Sequence, residues 1–203
     1  MSDQAIKPFL SLGPSAQGLG LAFYPLADRH SHGFASEAGE NLIGSLELTP
    51  EMESAEGPSS PVFQEIHRED LPQGPSLMTV GQWGFIHYSA VFLQESATRF
   101  DCDIAARVRL SGDVRLASTY TVRATATDLI EASGEQMVCR VGQGQAIRIK
   151  AGPGTELIVA PAGHAGLRVQ IFPTTIVADS APASARTVRW SYTIELVNPD
   201  EIV

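Results

Sequence analysis

The chain has 203 residues, a length that suits one domain or one domain with an appendage. Hydrophobic residues make up 43% and charged residues 18%, which is the composition of a globular protein and excludes a largely disordered chain. The net charge of −9 and the presence of only two lysines, Lys7 and Lys150, make nucleic acid and an anionic membrane surface poor partners, because both select cationic proteins.

The N-terminal sequence has no basic segment followed by an apolar run, and no stretch approaches the roughly 18 apolar residues of a membrane-spanning helix. We therefore expect neither a secretory signal nor a transmembrane segment. Two cysteines, Cys102 and Cys139, are too few for a disulfide framework. Each lies on the apolar side of an alternating segment, so buried thiols are the main interpretation, with an internal disulfide left open.

The first 77 residues differ in character from the rest of the chain. They hold 11 acidic side chains, 3 basic side chains and 8 of the 13 prolines. Residues 49–75 are dense in carboxylates and in Pro and Gly, which interrupt both helices and sheet ladders. The sequence predicts an extended N-terminal arm over residues 1–77 and a β-sandwich body over residues 78–203.

Two short apolar patches interrupt the predicted arm, at residues 19–24 (LGLAFY) and 41–48 (NLIGSLEL). Neither patch is long enough to form a core of its own. We therefore expect their large side chains to pack against the body or a neighbouring subunit, which makes Phe23, Tyr24, Leu42 and Ile43 candidate interface residues.

From residue 78 onwards apolar and polar residues alternate, which is the pattern of half-buried strands. In residues 186–197, for example, Val188, Trp190, Tyr192, Ile194 and Leu196 share one face. Turn-forming residues separate the predicted strands, and no helix of ordinary length is visible. The predicted fold is an all-β, antiparallel sandwich or jelly roll. The predicted strands are residues 83–93, 102–110, 114–125, 136–141, 145–150, 156–160, 167–172 and 186–197.

Residues 83–93 (WGFIHYSAVFL) begin a pattern that resembles trimeric jelly rolls of the tumour-necrosis-factor and complement-globular-head type. A strand at residues 104–110 with a Ser-Gly turn, a segment at 141–149 and a closing apolar strand at 167–172 continue the resemblance. The pattern departs from the family at Gln145, where the family has an acid, and in the extra strand at residues 186–197.

Domains of this kind occur in bacteriophage fibres, spikes and capsid decoration proteins. The resemblance therefore implies a structural virion protein without a cofactor, made in the host cytoplasm, that forms a homo-oligomer, as a trimer, and docks on a capsid through its arm. The aromatic residues Trp83, Phe85 and Tyr88 belong either to the core or to this oligomer interface.

A second motif resembles the first metal-binding motif of cupins. His30 and His32 are two residues apart, which places them on one face of a strand, and Glu37 follows. His164, after Pro161-Ala-Gly163, resembles the second cupin motif. The resemblance implies an enzyme that uses iron, manganese or zinc, and two surface histidines are the competing interpretation.

A third hypothesis is a carbohydrate-binding module, which shares the sandwich fold and would use aromatic side chains on its strands. For nucleophilic catalysis the sequence offers no candidate, because neither cysteine has activating neighbours and no Gly-x-Ser-x-Gly motif occurs. The leading hypothesis is therefore not an enzyme.

Overall fold

A computed structural model describes residues 7–13, 18–37, 39–47, 58–109, 114–142, 144–162, 166–174 and 185–201. Within these ranges the chain is almost entirely β, and the helical segments are two short 3₁₀ turns, Ala126–Asp128 and Pro199–Glu201. No helix in this part of the chain has the length and apolar character needed to cross a membrane. The predicted all-β class is confirmed.

Fifteen strands follow one another along the described chain. They are β1 (Leu10–Leu12), β2 (Leu19–Leu26), β3 (Arg29–Ser36), β4 (Asn41–Ser45), β5 (Glu65–Leu71), β6 (Gly74–Trp83), β7 (Ile86–Gln94), β8 (Arg99–Val108), β9 (Ser118–Val122), β10 (Leu129–Ala132), β11 (Gln136–Gly142), β12 (Gln145–Ala151), β13 (Thr155–Pro161), β14 (Leu167–Pro173) and β15 (Arg186–Val197).

These strands form two antiparallel sheets that pack face to face. The seven-stranded sheet has the order β1-β2-β3-β4-β9-β14-β13, and the eight-stranded sheet has the order β10-β11-β12-β15-β8-β7-β6-β5. Aromatic contacts join the two layers, as where the rings of Phe34 in β3 and Phe100 in β8 lie 5.5 Å apart edge to face. The predicted antiparallel sandwich is therefore present.

The expected arm over residues 1–77 is wrong for the residues that the structure describes. Strands β1 to β4 make up four of the seven strands of one sheet, and β4 pairs with β9, where Ile43 lies opposite Val122. Strand β5 and the first four residues of β6 also precede the expected boundary and lie in the other sheet. The physical reason is that the short apolar patches supply inward-facing side chains to the common core, while acidic residues occupy turns and outward positions.

A glycine in β6 lets the segment before β5 pack into this core. Val62 and Phe63 are buried, and the backbone N–H of Gln64 donates to the carbonyl oxygen of Val80 at 2.9 Å. A Cβ atom at Gly81 would collide with the carbonyl oxygen of Val62. Only glycine permits this close approach of the two backbones.

Candidate functional site

The residues of the predicted metal site differ in how deeply they are buried. His32 points into the sandwich and is buried, His30 is half-buried on the same face of β3, and Glu37 is exposed in the turn after the strand. Five residues of extended chain separate His32 from Glu37, a span of about 16 Å. His164 lies outside the described residues. Among those described, no three metal-binding side chains gather at one point.

His32 instead belongs to a buried chain of hydrogen bonds between the sheets. Its Nε2 atom lies 2.8 Å from the Tyr120 hydroxyl, which lies 2.5 Å from the Tyr192 hydroxyl. Trp190 Nε1 donates to Ser118 Oγ at 2.9 Å beside this chain. Burial lowers the pKa of His32 from 6.5 to about 3, so the imidazole is neutral at physiological pH. The position is that of a core histidine rather than an accessible ligand.

The two cysteines are free and buried. Burial raises the pKa of Cys102 well above its usual value, and burial together with the charge of Asp128 raises the pKa of Cys139 to about 12. Both thiols are therefore protonated and poor nucleophiles at neutral pH.

The predicted interface residues separate into two groups. Phe23, Leu42, Ile43 and Tyr88 are each at most 4% exposed and fill the core of one chain, which is the packing against the body that the sequence left open beside contact with another subunit. Tyr24 and Trp83 are half-buried, and Phe85 is 61% exposed at the turn between β6 and β7. The three that keep exposed surface are the ones available to a partner.

The outer face of the eight-stranded sheet carries two adjoining depressions. The first, of about 530 Å³, lies where Ser89 and Ala105 provide a floor of small side chains on neighbouring strands. Longer side chains surround this floor, namely Gln64, Glu65, Gln82, His87, Arg107 and Arg189. Small residues between long ones create the hollow.

The second depression, of about 850 Å³, continues along β8 and β15. Its floor includes Ser191 and Thr193, and Gly152 approaches β15 closely enough for its N–H to donate to the carbonyl oxygen of Ser191 at 2.8 Å. A Cβ atom at position 152 would collide with Ser191. Arg189 lines both hollows, so the two adjoin along β15, and together they are called the trough.

The trough is rich in charge. Five basic and four acidic side chains line it, against a net charge of −9 for the whole chain. Arg148 Nη1 lies 3.4 Å from Glu195 Oε2, and Arg189 Nη1 lies 3.8 Å from Asp103 Oδ2. Partly exposed pairs of this kind contribute at most about 1 kcal/mol each, so a polar ligand can displace them at low cost.

Arg99 anchors one end of the trough. Its Nε atom lies 2.8 Å from Glu95 Oε2 and 3.0 Å from Asp101 Oδ1. Burial acts to lower the pKa of Arg99, but the hydrogen bond and charge of Asp101, together with the charges of Glu95 and Glu195, outweigh burial and raise the pKa. This guanidinium is held in place by its neighbours.

Sequence reasoning found the strands of this trough but not the site itself. The alternation in β8 and β15 separates an apolar face from a face with Asp103, Arg107, Arg189 and Glu195. A sheet whose outer face only contacts solvent has the same pattern, so the polar face alone does not indicate a site. The signal that was available is the set of small residues between charged ones on adjacent strands, which becomes visible only when the strand order is known.

Comparison with known proteins gives a fold and no family. No family model matches the sequence, and no curated protein matches it. Among solved structures, a heparan sulfate lyase HepC from Pedobacter heparinus is similar with a TM-score of 0.61 and 8% identity over 95% of this chain. A heparinase III gene product is similar with a TM-score of 0.59 and 12% identity over 96% of this chain.

The chain spans 37% of the length of each of these two solved structures. At this level of identity the similarity shows a shared β-sandwich fold alone.

Proposed function

We propose that this protein is a saccharide-binding β-sandwich module whose ligand lies on the outer face of the eight-stranded sheet. The observation that carries the proposal is the pair of adjoining depressions, about 530 and 850 Å³, which share Arg189 as a lining residue. Hollows of this size suit small-molecule or oligomeric ligands. We propose binding without catalysis and without a cofactor.

The chemistry of the trough supports a hydroxylated ligand. A sugar hydroxyl both donates and accepts hydrogen bonds, so it is complementary to a surface that offers both kinds of group side by side. Arg148 and Arg189 supply donors, and Asp103 and Glu195 supply acceptors, on neighbouring strands. The platform of strand aromatics expected for such a module is absent from the described trough, because Trp190 and Tyr192 face the core.

The fold comparison adds a choice of test ligands. Two of the similar solved structures are named as heparan sulfate lyases, and one is named as a heparinase III gene product. The chain spans 37% of the length of those proteins. We therefore propose a sandwich of the same fold that binds a polysaccharide without cleaving it.

The test is affinity measurement with a panel of soluble neutral and acidic polysaccharides. Ala105→Trp and Thr193→Trp would fill the two hollows, and we expect each to weaken binding at least about tenfold while leaving the circular dichroism spectrum unchanged. Arg168→Ala, an exposed site in β14 of the other sheet, is the matched control. Absence of binding to every polysaccharide, or equal binding by the filled variants, would contradict the proposal.

A second candidate is the structural virion protein. We propose in this case a subunit of a bacteriophage particle that forms a homotrimer, docks on the capsid and functions in the virion. The supporting observation is Phe85, which is 61% exposed at a hairpin beside the half-buried Trp83, as aromatic contact residues often are. Because β1–β4 belong to the seven-stranded sheet, we propose this hairpin as the contact surface in place of the N-terminal patches.

Light scattering tests the second candidate. A stable oligomer that dissociates when Phe85 is changed to Ser (Phe85→Ser) would support it. Ser89→Ala, in β7 of the same hairpin, is the control for correct folding. A monodisperse monomer at micromolar concentration would count against it.

A further inference from the structure

Each hollow of the trough has one basic side chain more than it has acids, and the two hollows differ in how these charges are paired. In the first, Arg107 and Arg189 stand against the single carboxylate of Glu65. The Oε2 atom of Glu65 lies 3.9 Å from His67 Nε2. Arg189 pairs with Asp103 at 3.8 Å, whereas Arg107 is exposed and has no ion pair within the described residues. Arg107 is therefore the cationic donor of this hollow that no protein carboxylate neutralises.

The second hollow holds most of its charges in ion pairs. Its basic side chains are Arg99, Arg148, Arg189 and Lys150, and three acids, Asp101, Asp103 and Glu195, lie among them. Three of the four basic side chains form ion pairs with those acids at distances of 3.0 to 3.8 Å. Lys150 stands outside these pairs, and the rest of the surface presents alternating donors and acceptors.

The register places these groups in a line along β15. Arg107 lies opposite Thr187, Lys150 lies opposite Thr193, and Arg148 lies opposite Glu195. From Thr187 to Glu195 an extended strand spans about 27 Å. A ligand that contacts both ends is therefore elongated and runs parallel to β15.

We propose that the ligand is an acidic saccharide chain, with an anionic substituent at Arg107 and Arg189 and its hydroxyl groups on the ion-paired hollow around Glu195. This inference rests on the saccharide-binding function proposed above. A carboxylate or a sulfate group satisfies the same chemistry, because a guanidinium binds either through two parallel N–H donors.

The same charges disfavour a nucleic acid as the elongated anion. A nucleic acid places a phosphate at every nucleotide, and those over the second hollow would meet Asp101, Asp103 and Glu195. A saccharide with intermittent charge avoids this repulsion by placing neutral units there.

The experiment compares matched polymers that differ only in charge. The pairs are a polyuronate with its carboxyl-reduced neutral form, and dextran sulfate with dextran, each titrated into the intact protein by calorimetry. We expect one acidic member to bind at least about tenfold more tightly than its neutral partner, as for a charge-assisted contact. The pair that shows the difference identifies carboxylate or sulfate as the substituent.

Two variants test the orientation. Arg107→Gln removes the unpaired guanidinium of the first hollow, and we expect it to abolish the preference for the acidic polymer while weak binding of the neutral polymer remains. Arg168→Gln in the other sheet removes the same charge from an unrelated face and is expected to change nothing.

The outcomes separate the two proposals. Equal binding of acidic and neutral polymers would overturn the acidic ligand and leave saccharide binding intact. A preference that survives Arg107→Gln, or equal competition by single-stranded DNA, would also overturn this inference. Binding of none of the four polymers would remove the proposed function itself.

Discussion

The inner and outer faces of β15 differ in burial and in the kind of side chain they carry. Trp190 and Tyr192 face inward and are at most 2% exposed, whereas the side chain of Arg189, on the outer face of the same strand, is 71% exposed. The inner face fills the space between two sheets, and the outer face lines the trough. We therefore expect the inward-facing residues to determine stability and the outward-facing residues to determine the proposed binding, and the following measurements test this from the largest effect to the smallest.

The largest effect is expected from Trp190→Ala. The substitution removes a fully packed indole and its hydrogen bond to Ser118, and such losses cost about 3–5 kcal/mol in the free energy of unfolding. Urea denaturation measures it. The matched outer-face change, Arg189→Ala, is expected to stay within about 0.5 kcal/mol. Similar losses for the two variants would refute the division between faces.

Acid should destabilise the inner face through His32. Its pKa is 6.5 in the unfolded chain and about 3 in the folded chain, so the unfolded state binds more protons between these values. The contribution is therefore complete above pH 6.5 and is lost as the pH falls towards 3. At pH 5 the loss is roughly 2 kcal/mol, at about 1.4 kcal/mol per pH unit.

Denaturation curves of the wild type and His32→Leu between pH 7 and pH 5 check this expectation. The variant has no imidazole to protonate, so its stability should fall less over the same interval. The half-buried His30, changed to Gln, is the control. A pH dependence that is the same in wild type and His32→Leu would contradict the assignment.

A smaller loss is expected from Tyr120→Phe. The change keeps the ring but removes the hydroxyl that joins His32 to Tyr192, which leaves buried polar atoms without a partner. We expect about 1–3 kcal/mol, measured by thermal or urea unfolding. Thr121→Val, at the next position of β9 on the opposite face, should be close to neutral, and an equal loss there would argue against a role for the buried chain.

The smallest effect concerns the pair Arg148–Glu195 on the outer face. Its atoms lie 3.4 Å apart and both side chains are partly exposed. A double-mutant cycle with alanine at both positions should give a coupling of about 0.2–1 kcal/mol that weakens in salt. A coupling several times larger, insensitive to salt, would show that the trough is as rigid as the core.

Most strands after residue 78 were predictable because their alternation is regular, but the predicted segment 83–93 contains the turn between β6 and β7, the segment 114–125 shortens to β9, and β10 was not predicted. Strands β11, β12, β13, β14 and β15 fall within about one residue of the predicted segments. Each has an apolar face long enough to signal its period, and Gly- or Pro-containing turns separate most of them. In these cases local sequence and tertiary structure agree.

The N-terminal strands, β1–β4 of the seven-stranded sheet and β5 of the eight-stranded sheet, were not predictable in the same way. Strand β3 reads RHSHGFAS, in which two histidines occupy inward positions that an apolar residue usually takes. Strand β5 reads EIHREDL and has mainly exposed side chains, so it resembles a polar loop. Both are fixed by pairing with neighbours, β2 and β4 or β6, and this information lies outside the segment itself.

The position of β15 also has a consequence for aggregation. This strand lies in the middle of the eight-stranded sheet, hydrogen-bonded to β8 on one side and β12 on the other. Without β15, the strands β5–β8 and β10–β12 would be separate half-sheets, each with an unpaired inner edge. Such edges pair readily with other chains. A chain cut before residue 186, or one in which β15 has not yet docked, is therefore the form most exposed to aggregation.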